Sequence, residues 1–266
     1  MTPDALAGLF AAAMPEERLT VGELEHLCFG PHDAVLGDAR AAATVQAHGT
    51  GALRAAWLTA LAVHPAEQGR GRGRELVVAA SDWARDQGAT TLHLATAIPR
   101  YLWPGVDVAN TRAGMLFESC GFTRGLLGIN MAIPTDLRRD PPVGMTVELE
   151  TGTGAREFAS AAFPNWVPEL DRAVALGTAF AARDRDGATI AFGCHSVNRA
   201  GWIGPMATDP TRQHGGVGST VLAAVCADLA ARGVGEGEIS WVSNLRFYGK
   251  CGARVSRVFL GGHLGL

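Results

Sequence analysis

The feature that most constrains this chain of 266 residues is a glycine-containing pattern that occurs twice. Both copies, at 68–73 and 213–218, read Gln-x-x-Gly-x-Gly, and each joins a stretch that predicts a strand to one that predicts a helix. Glycine lets the backbone adopt positive φ and lets a ligand approach it closely. The unpaired amides and the dipole of a helix start favour a bound phosphate. The pattern therefore predicts two anion-binding turns.

Two other phosphate-binding turns are excluded by single residues. A P-loop needs lysine directly after its last glycine, but Lys250 is the only lysine of the chain and does not follow such a run of glycines. A dinucleotide-binding fold needs a third glycine at the position where Arg74 stands. A glycine-rich turn with solvated arginines and no ligand is the alternative that remains.

Hydrophobic periodicity predicts the same order of elements in both halves: strands, a glycine turn, a long helix, a strand, a short helix and a closing strand. Residues 136–142 are the predicted linker between domains 1–135 and 143–266, because their prolines fix φ and lack an amide for pairing. In the first half the predicted strands are 34–36, 41–47, 53–63, 91–97 and two within 121–133, and the main helices are 71–87 and 112–119. In the second half the predicted strands are 145–149, 178–183, 189–197, 202–206, 238–242 and 255–260, and the helices are 155–162, 167–176, 218–231 and 245–251.

Composition excludes several other classes of protein. Hydrophobic residues make up 47% of the chain and charged residues 18%, which predicts globular domains with apolar cores. A net charge of -3 argues against a nucleic-acid or membrane partner, and no apolar run reaches the roughly 20 residues that span a bilayer. The five cysteines are scattered without a C-x-x-C pair, which predicts no metal site and favours a reducing, cytoplasmic location.

The Gln-x-x-Gly-x-Gly spacing resembles the signature of the GCN5-related N-acetyltransferase (GNAT) superfamily. Two segments extend the resemblance: 116–122 (Leu-Phe-Glu-Ser-Cys-Gly-Phe) and 247–253 (Phe-Tyr-Gly-Lys-Cys-Gly-Ala) are similar to that family's L-Y-E-x-x-G-F segment. The layout is similar to that of tandem members such as mycothiol synthase, without implying their substrate. The resemblance implies an α/β fold of two tandem domains, each with a central mixed β-sheet flanked by helices.

The resemblance also implies a reaction and its residues. The reaction is transfer of an acetyl group from acetyl-CoA, as co-substrate, to an amine of a small-molecule or peptide acceptor, without a metal. In that family a tyrosine protonates the departing thiolate of coenzyme A, so Tyr248 is the predicted catalytic residue, whereas Phe117 stands at the matching position of the first half. Asn110 matches a coenzyme contact, although a helix N-cap explains it equally well. The predicted coenzyme-binding residues are Leu61, Ala62, Val63, Gln68, Gly69, Arg70, Gly71, Arg72, Gly73, Arg74, Asn110, Met206, Ala207, Gln213, Gly215, Gly216, Val217 and Gly218.

Several alternatives stay open at this point. The coenzyme lies in the first domain, where the glycine turn is cleanest, or in the second, which holds Tyr248; the alternative function is a CoA-binding regulatory or scaffold protein without turnover. A monomer and a homodimer are both compatible with the sequence. Residues 100–107 and 163–166 either shape an acceptor pocket or pack between elements. His64 is expected to be structural, and the candidate proton acceptors are Glu23, Glu25, Glu67, His93 and His195.

Overall fold

A computed structural model of the chain describes residues 1–49, 54–95 and 97–266. The chain forms two compact units, and each contains both helices and strands. The first unit combines Met1–Gly128 with the C-terminal Val258–Leu266, and the second comprises Ile129–Arg257. Position 53 of the third predicted strand and position 96 of the fourth lie outside the described residues.

In the first unit, helices precede and follow a set of mainly antiparallel strands. The strands pair in the order β1-β2-β3-β4-β12, and all neighbours are antiparallel except β3 and β4, which are parallel. The elements are α1 (Pro3–Ala13), α2 (Val21–Cys28), β1 (Asp33–Asp38), β2 (Ala41–His48), β3 (Ala55–Val63), α3 (Arg72–Asp86), β4 (Thr91–Leu94), β5 (Val106–Asp107), α4 (Thr111–Ser119), the beginning of β6 (Thr123–Pro134) and the end of β12 (Arg254–Gly265).

The core of the first unit lies between α3 and one face of the sheet. Ala41, Ala43 and Val45 of β2 belong to one buried cluster, and because side chains alternate along a strand they share the face of the sheet that α3 covers. Leu76 and Ala80 of α3 belong to the same buried cluster. The small alanines of β2 let α3 lie close to the sheet, so the start of the helix is held rigidly beside the end of β3.

The second unit repeats this architecture with an additional pair of helices. Its strands pair in the order β6-β11-β10-β9-β8-β7, with β10 and β11 parallel and the other pairs between β7 and β10 antiparallel. The end of β6 pairs antiparallel with β11. The elements are β7 (Thr146–Leu149), α5 (Gly154–Ala162), α6 (Val167–Leu176), β8 (Ala179–Arg183), β9 (Thr189–His195), β10 (Trp202–Thr208), α7 (Val217–Ala231), β11 (Glu236–Ile239) and α8 (Leu245–Lys250).

Helices cover both faces of the second sheet. Leu222, Val225 and Leu229 of α7 pack on one face, whereas Leu170 of α6 and Phe192 of β9 belong to a cluster on the other. Most residues of α7 are buried or half-buried, which explains why its apolar residues are not confined to one side of the helix. The α/β class predicted from the sequence is therefore confirmed.

Two details of the closing strands differ from the prediction. The stretch 121–133 is one continuous strand, β6, where two were predicted, and β12 extends to Gly265, beyond the predicted end at 260. The end of β12 pairs with β4 of the first unit, with His263 opposite His93. The predicted linker 136–142 lies inside the second unit, and the domain boundary itself stays a prediction.

Candidate active site

The two glycine turns have the same backbone conformation. Gly71 caps α3 with φ of 87° and Gly216 caps α7 with φ of 86°, and each helix has 15 residues. The turns lie 145 positions apart (71 to 216), and the same offset relates Gln68 to Gln213. Positive φ at both caps is a conformation that glycine adopts without steric cost. Two copies of one local structure therefore present helix-start amides in the same way.

A short 3-10 helix before each turn explains two residues that had no assigned function. His64 Nδ1 accepts a hydrogen bond from the Ala66 amide at 3.3 Å, and the Asp209 carboxylate accepts one from the Thr211 amide at 2.8 Å. Both side chains thus cap the turn that follows. The structural role expected for His64 agrees with this contact.

The parallel strands of each unit separate at equivalent positions beside the turn. Pairing of β3 with β4 ends at Leu58↔Leu94, and pairing of β10 with β11 ends at Ile203↔Ile239. Immediately afterwards the antiparallel register of β3 and of β10 shifts, at Thr59 and at 204–205 respectively. In the part of the chain that the structure describes, residues 59–63 and 204–208 therefore run on to the glycine turn without a parallel neighbour, which leaves backbone groups available to an extended ligand.

The last glycine of each pattern serves close packing. A Cβ on Gly73 would lie 2.9 Å from Leu116 Cδ2, and one on Gly218 would lie 3.1 Å from Thr208 Oγ1 and 3.4 Å from the Phe247 ring. Glycine at this position lets the long helix start lie against the short helix and strand that complete the site.

In the first unit the charged side chains of the turn bond to one another. Arg72 forms an ion pair of 2.7 Å with Asp38 and lowers the pKa of that carboxyl, while Arg70 lies 3.6 Å from Glu67. Arg74 donates hydrogen bonds to the carbonyl and hydroxyl oxygens of Ser119. Two of the three arginines at this turn, Arg70 and Arg72, therefore lie beside carboxylates of the protein itself, whereas Arg74 bonds to neutral oxygens.

The side chain of Gln68 forms two more hydrogen bonds at the first turn. Its Nε2 donates a hydrogen bond to the Val63 carbonyl at 3.0 Å, and its Oε1 accepts one from Arg112 at 2.7 Å. Arg112 lies in the first turn of α4, whose start is capped by Asn110 through the Ala113 amide. This chain of hydrogen bonds connects the end of β3 to the start of α4.

The second unit has an open cavity of about 680 Å³ at its glycine turn. It is bounded by the end of β10, the start of α7, the helix α8 and the segment between α5 and α6. The lining residues are Arg139, Phe163, Trp166, Met206, Ala207, Thr208, Arg212, Gln213, His214, Gly216, Val217, Gly218, Ser219, Ser243, Asn244, Arg246, Phe247, Tyr248, Lys250 and Cys251.

The charge of this cavity has one sign. Arg139, Arg212, Arg246 and Lys250 line it, whereas the lining residues include no aspartate or glutamate. Of these cations only Arg212 has a carboxylate neighbour among the described residues, Asp184 at 3.5 Å. The lining also includes an aromatic pair, because Phe163 and Trp166 are stacked at 5.1 Å between ring centroids. This lining suits a ligand that has both anionic and apolar parts.

Tyr248 lines this cavity from α8. Its ring packs edge-on against Phe247 with centroids 4.8 Å apart, and burial raises the pKa of its hydroxyl to about 12. The hydroxyl therefore stays protonated at neutral pH. At the matching position of the first unit, Phe117 is buried and packs edge-on against Phe122 at 5.3 Å. At this one position, the second unit thus has a hydroxyl group that the first unit lacks.

The structure brings only part of the predicted set to the cavity. Leu61 to Val63, Gln68 to Arg74 and Asn110 belong to the first unit, and Gly215 is absent from the cavity lining. The predicted residues that line the cavity are Met206, Ala207, Gln213, Gly216, Val217, Gly218 and Tyr248. Their roles as coenzyme or catalytic residues stay predictions.

Sequence reasoning missed several lining residues. Asn244 caps α8 through the Phe247 amide at 3.0 Å, as Asn110 caps α4, but α8 has six residues and α4 has nine. Aligning the Tyr248 and Phe117 segments therefore does not align the two asparagines. The cap pattern itself, an asparagine three residues before a helical aromatic, was a usable signal.

None of the candidate proton acceptors lines the cavity. Glu23 forms a capping box with Thr20, and Glu67 lies beside Arg40 and Arg70. His195 is fully buried and bonds to Asp228 at 2.8 Å, and burial lowers its pKa. His93 lies in the first unit, stacked on Trp57.

Each unit thus combines a mixed sheet with a glycine turn at the start of a long helix. Residues 10–122 and 148–253 each match the profile of the acetyltransferase (GNAT) family, so the chain belongs to that family. A search of curated protein sequences finds no match. Across residues 1–49, 54–95 and 97–266, no helix is long and apolar enough to cross a membrane, and no group of His, Cys, Asp and Glu side chains is arranged to hold a metal ion.

Solved structures with the same fold include other two-unit proteins. The glucosamine N-acetyltransferase region of a fungal multi-domain β-N-acetylglucosaminidase has a TM-score of 0.78 at 19% identity, and the match covers 98% of this chain but 37% of that one. A tandem GNAT protein from the clavulanic acid biosynthesis pathway has a TM-score of 0.72 at 13% identity, with coverage of 100% and 97%. A GCN5-related N-acetyltransferase from Sphaerobacter thermophilus has a TM-score of 0.67 at 20% identity, with coverage of 100% and 94%. At sequence identities of 13% to 20%, these three structures show a shared fold and nothing about activity or substrate.

Proposed function

We propose that this protein transfers an acetyl group from acetyl-CoA to an amine and that the second unit carries the reaction. The observation that carries the proposal is the cavity of about 680 Å³, whose lining combines the glycine turn, four cationic side chains without an aspartate or glutamate, and Tyr248. Family membership supports acyl transfer. We choose the second unit because its glycine turn lines a cavity, whereas the charged and polar side chains of the first turn bond to other residues of the first unit.

We propose one orientation for the coenzyme in the cavity. Its pyrophosphate belongs at the amides that start α7, next to Gly216, where the helix dipole and Arg212 favour negative charge. Its pantetheine arm then follows residues 204–208 of β10, which have no parallel neighbour. This path leads the thioester toward Tyr248.

The reaction proceeds by direct attack of the acceptor amine on the thioester carbonyl. Holding the two reactants together supplies much of the rate, and a backbone amide near Ala207 polarises the carbonyl oxygen. The bond from the carbonyl carbon to sulfur then breaks, and the sulfur leaves with the electron pair. A base removes the proton that the amine loses.

Tyr248 acts on the departing sulfur. A thiol has a pKa of about 8.5, well below the value of about 12 to which burial raises the hydroxyl of Tyr248. Complete proton transfer from this tyrosine to a thiolate is therefore uphill. We assign to Tyr248 a hydrogen bond to the sulfur that strengthens as negative charge develops there, which stabilises the transition state more than the bound thioester.

The second candidate function, a coenzyme-binding regulatory or scaffold protein without turnover, is motivated by Phe117 of the first unit. Phe117 lacks the hydroxyl, and the hydrogen bonds from Arg112 through Gln68 to Val63 occupy the turn. We infer that this unit stabilises the protein and does not itself catalyse acyl transfer.

The partners and location follow from the same features. We propose a small-molecule or peptide amine as acceptor, because amines are the acceptors of the family that the chain resembles. All five cysteines are free, which supports the proposed cytoplasmic location.

Release of coenzyme A thiol in the presence of a panel of amines tests the proposal. Acetyl-CoA, the protein and each amine are mixed, and free thiol is followed with a chromogenic disulfide. Amine-dependent release that is saturable in acetyl-CoA supports the transferase. Saturable binding of acetyl-CoA without release on a broad panel of small and peptide amines would favour the coenzyme-binding protein without turnover.

A further inference from the structure

Arg139, which lies in the predicted linker 136–142, forms part of the cavity wall. Pro142 Cγ lies 3.8 Å from the position that a Cβ of Gly216 would occupy, and Thr220 of α7 donates a hydrogen bond of 3.4 Å to the Asp140 carbonyl. These contacts fix the segment against the start of α7. Arg139 is thereby brought to the cavity from far outside the glycine pattern.

Arg139 reaches the end of α8. Its guanidinium donates a hydrogen bond of 2.7 Å to the Arg138 carbonyl, and its charge acts on the thiol of Cys251, the residue that ends α8. Arg246 and Lys250 lie four positions apart on α8, so they are neighbours on one side of the helix. All three cations line the cavity.

These three cations have no counter-ion in the part of the chain that the structure describes. None of them forms an ion pair with a carboxylate, although the chain as a whole has a net charge of -3. Like charges that share a cavity repel one another. All three side chains are exposed, so water screens much of this repulsion, and the grouping leaves a region of positive charge that attracts an anionic ligand to α8.

The positive charge of the cavity falls into two groups. Arg212 belongs to the glycine turn, whereas Arg246 and Lys250 lie on α8 and Arg139 lies beside its end. Coenzyme A likewise carries two anionic groups, the pyrophosphate and a phosphomonoester on the ribose. A phosphomonoester carries about -1.5 to -2 charges near neutral pH, and arginine binds such a group through paired hydrogen bonds.

We propose that Arg139, Arg246 and Lys250 form a subsite for the ribose phosphomonoester and that Arg139 makes the enzyme select coenzyme A over its 3′-dephospho form. The inference rests on the proposed function, because it assumes that acetyl-CoA binds in this cavity. It adds a recognition residue that lies outside the glycine pattern and the tyrosine segment.

Calorimetric titration of the full-length protein with coenzyme A and with 3′-dephospho-coenzyme A tests this subsite. For the wild type we expect removal of the phosphate to weaken binding by about 10-fold or more, as expected for loss of charge-assisted hydrogen bonds. Arg139→Ala should weaken coenzyme A binding by about 3- to 10-fold, while binding of the dephospho form should change by less than about twofold. The two ligands and the two proteins form a thermodynamic cycle, which isolates the interaction between Arg139 and the ribose phosphate.

Arg138→Ala is the matched control. The Arg138 guanidinium bonds to the Thr135 and Leu137 carbonyls and does not line the cavity, so its loss should leave the preference for coenzyme A unchanged. Equal effects of Arg139→Ala on both ligands would overturn the subsite. So would unchanged coenzyme affinity together with a raised KM for an acidic amine acceptor, which would assign Arg139 to the acceptor. If wild-type protein binds neither ligand, the proposed function itself fails.

Discussion

Arg112 donates a hydrogen bond of 2.7 Å to the side-chain oxygen of Gln68, and this contact has no counterpart in the second unit. Arg246 stands two residues after the cap of α8, as Arg112 does after the cap of α4. In the second unit, however, Arg246 and Gln213 both line an open cavity and share no hydrogen bond among the described residues. The two units thus share one local structure, but its arginine and glutamine are hydrogen-bonded in the first unit and line a cavity in the second.

Replacing Tyr248 with phenylalanine should lower kcat and leave KM for acetyl-CoA nearly unchanged. The change removes a hydrogen bond that matters as charge develops on sulfur, so a loss of about 10- to 1000-fold in kcat is expected. Steady-state thiol release measures it. Phe117→Tyr is the matched control, because it adds a hydroxyl at the equivalent position of the first unit and should leave kcat within about twofold. A Tyr248→Phe variant with full kcat would remove this residue from the mechanism.

Removing the cap of α8 should affect both stability and activity. Asn244→Ala breaks the hydrogen bond to the Phe247 amide and should cost about 1 kcal/mol of unfolding free energy. Because Tyr248 lies on this six-residue helix, kcat should fall as well. Asn110→Ala removes the equivalent bond in the first unit and should give a similar stability loss with kcat retained. Chemical denaturation and thiol release provide the two readouts, and equal losses of activity in both variants would argue against the second unit as the active one.

Deleting residues 258–266 should destabilise the sheet of the first unit at β4. This segment pairs with β4 through His263 and Leu264, and the Leu266 amide donates a hydrogen bond of 3.0 Å to the Thr90 carbonyl. Without it, β4 loses a hydrogen-bonded neighbour and the core loses the side chains of Leu264 and Leu266. Hydrogen exchange should show lost amide protection in 91–94. Unchanged protection there would mean that the first unit is stable without its C-terminal strand.

Acid should destabilise the first unit. His48, Trp57, His93 and His263 form a row of neighbouring rings across its sheet, and burial lowers the pKa of both His48 and His93. The unfolded chain binds a proton at these residues near pH 6.5, above the value in the folded protein, so stability is complete above pH 6.5 and falls as the pH drops below it. Urea denaturation at pH 7.5 and 5.5 measures the change.

His93→Asn separates this effect from other titrating groups. It removes one of the two lowered pKa values, so the loss of unfolding free energy between pH 7.5 and 5.5 should be smaller than in the wild type. An identical loss in the variant would assign the pH dependence to other residues.

Features that depend on residues close together in the chain could be predicted from the sequence, whereas contacts between residues far apart in the chain could not. Gln68 and Gly71 lie three positions apart, as Gln213 and Gly216 do, so one local pattern predicts both helix starts correctly. The GNAT fold follows from that duplication, and it is confirmed by the family comparison.

The missed features depend on tertiary contacts. The pairing of β12 with β4 joins strands that lie far apart in the chain, and no local pattern encodes it. Arg139 reaches the cavity only because Pro142 and Thr220 hold its segment against α7. Likewise, the arginines of the first turn indicate an anion site until their bonds to Asp38 and Glu67 are known.

Calorimetric titration of acetyl-CoA into the wild type, Gly71→Glu and Gly216→Glu proteins tests the central claim most directly. The two glycines have the same φ, so the substitutions impose similar backbone strain, and each introduces a carboxylate at one turn. Circular dichroism first confirms that each variant is folded. We expect one acetyl-CoA per chain for the wild type and for Gly71→Glu, and no binding for Gly216→Glu. Binding that survives Gly216→Glu and disappears with Gly71→Glu would place the coenzyme in the first unit and contradict the account.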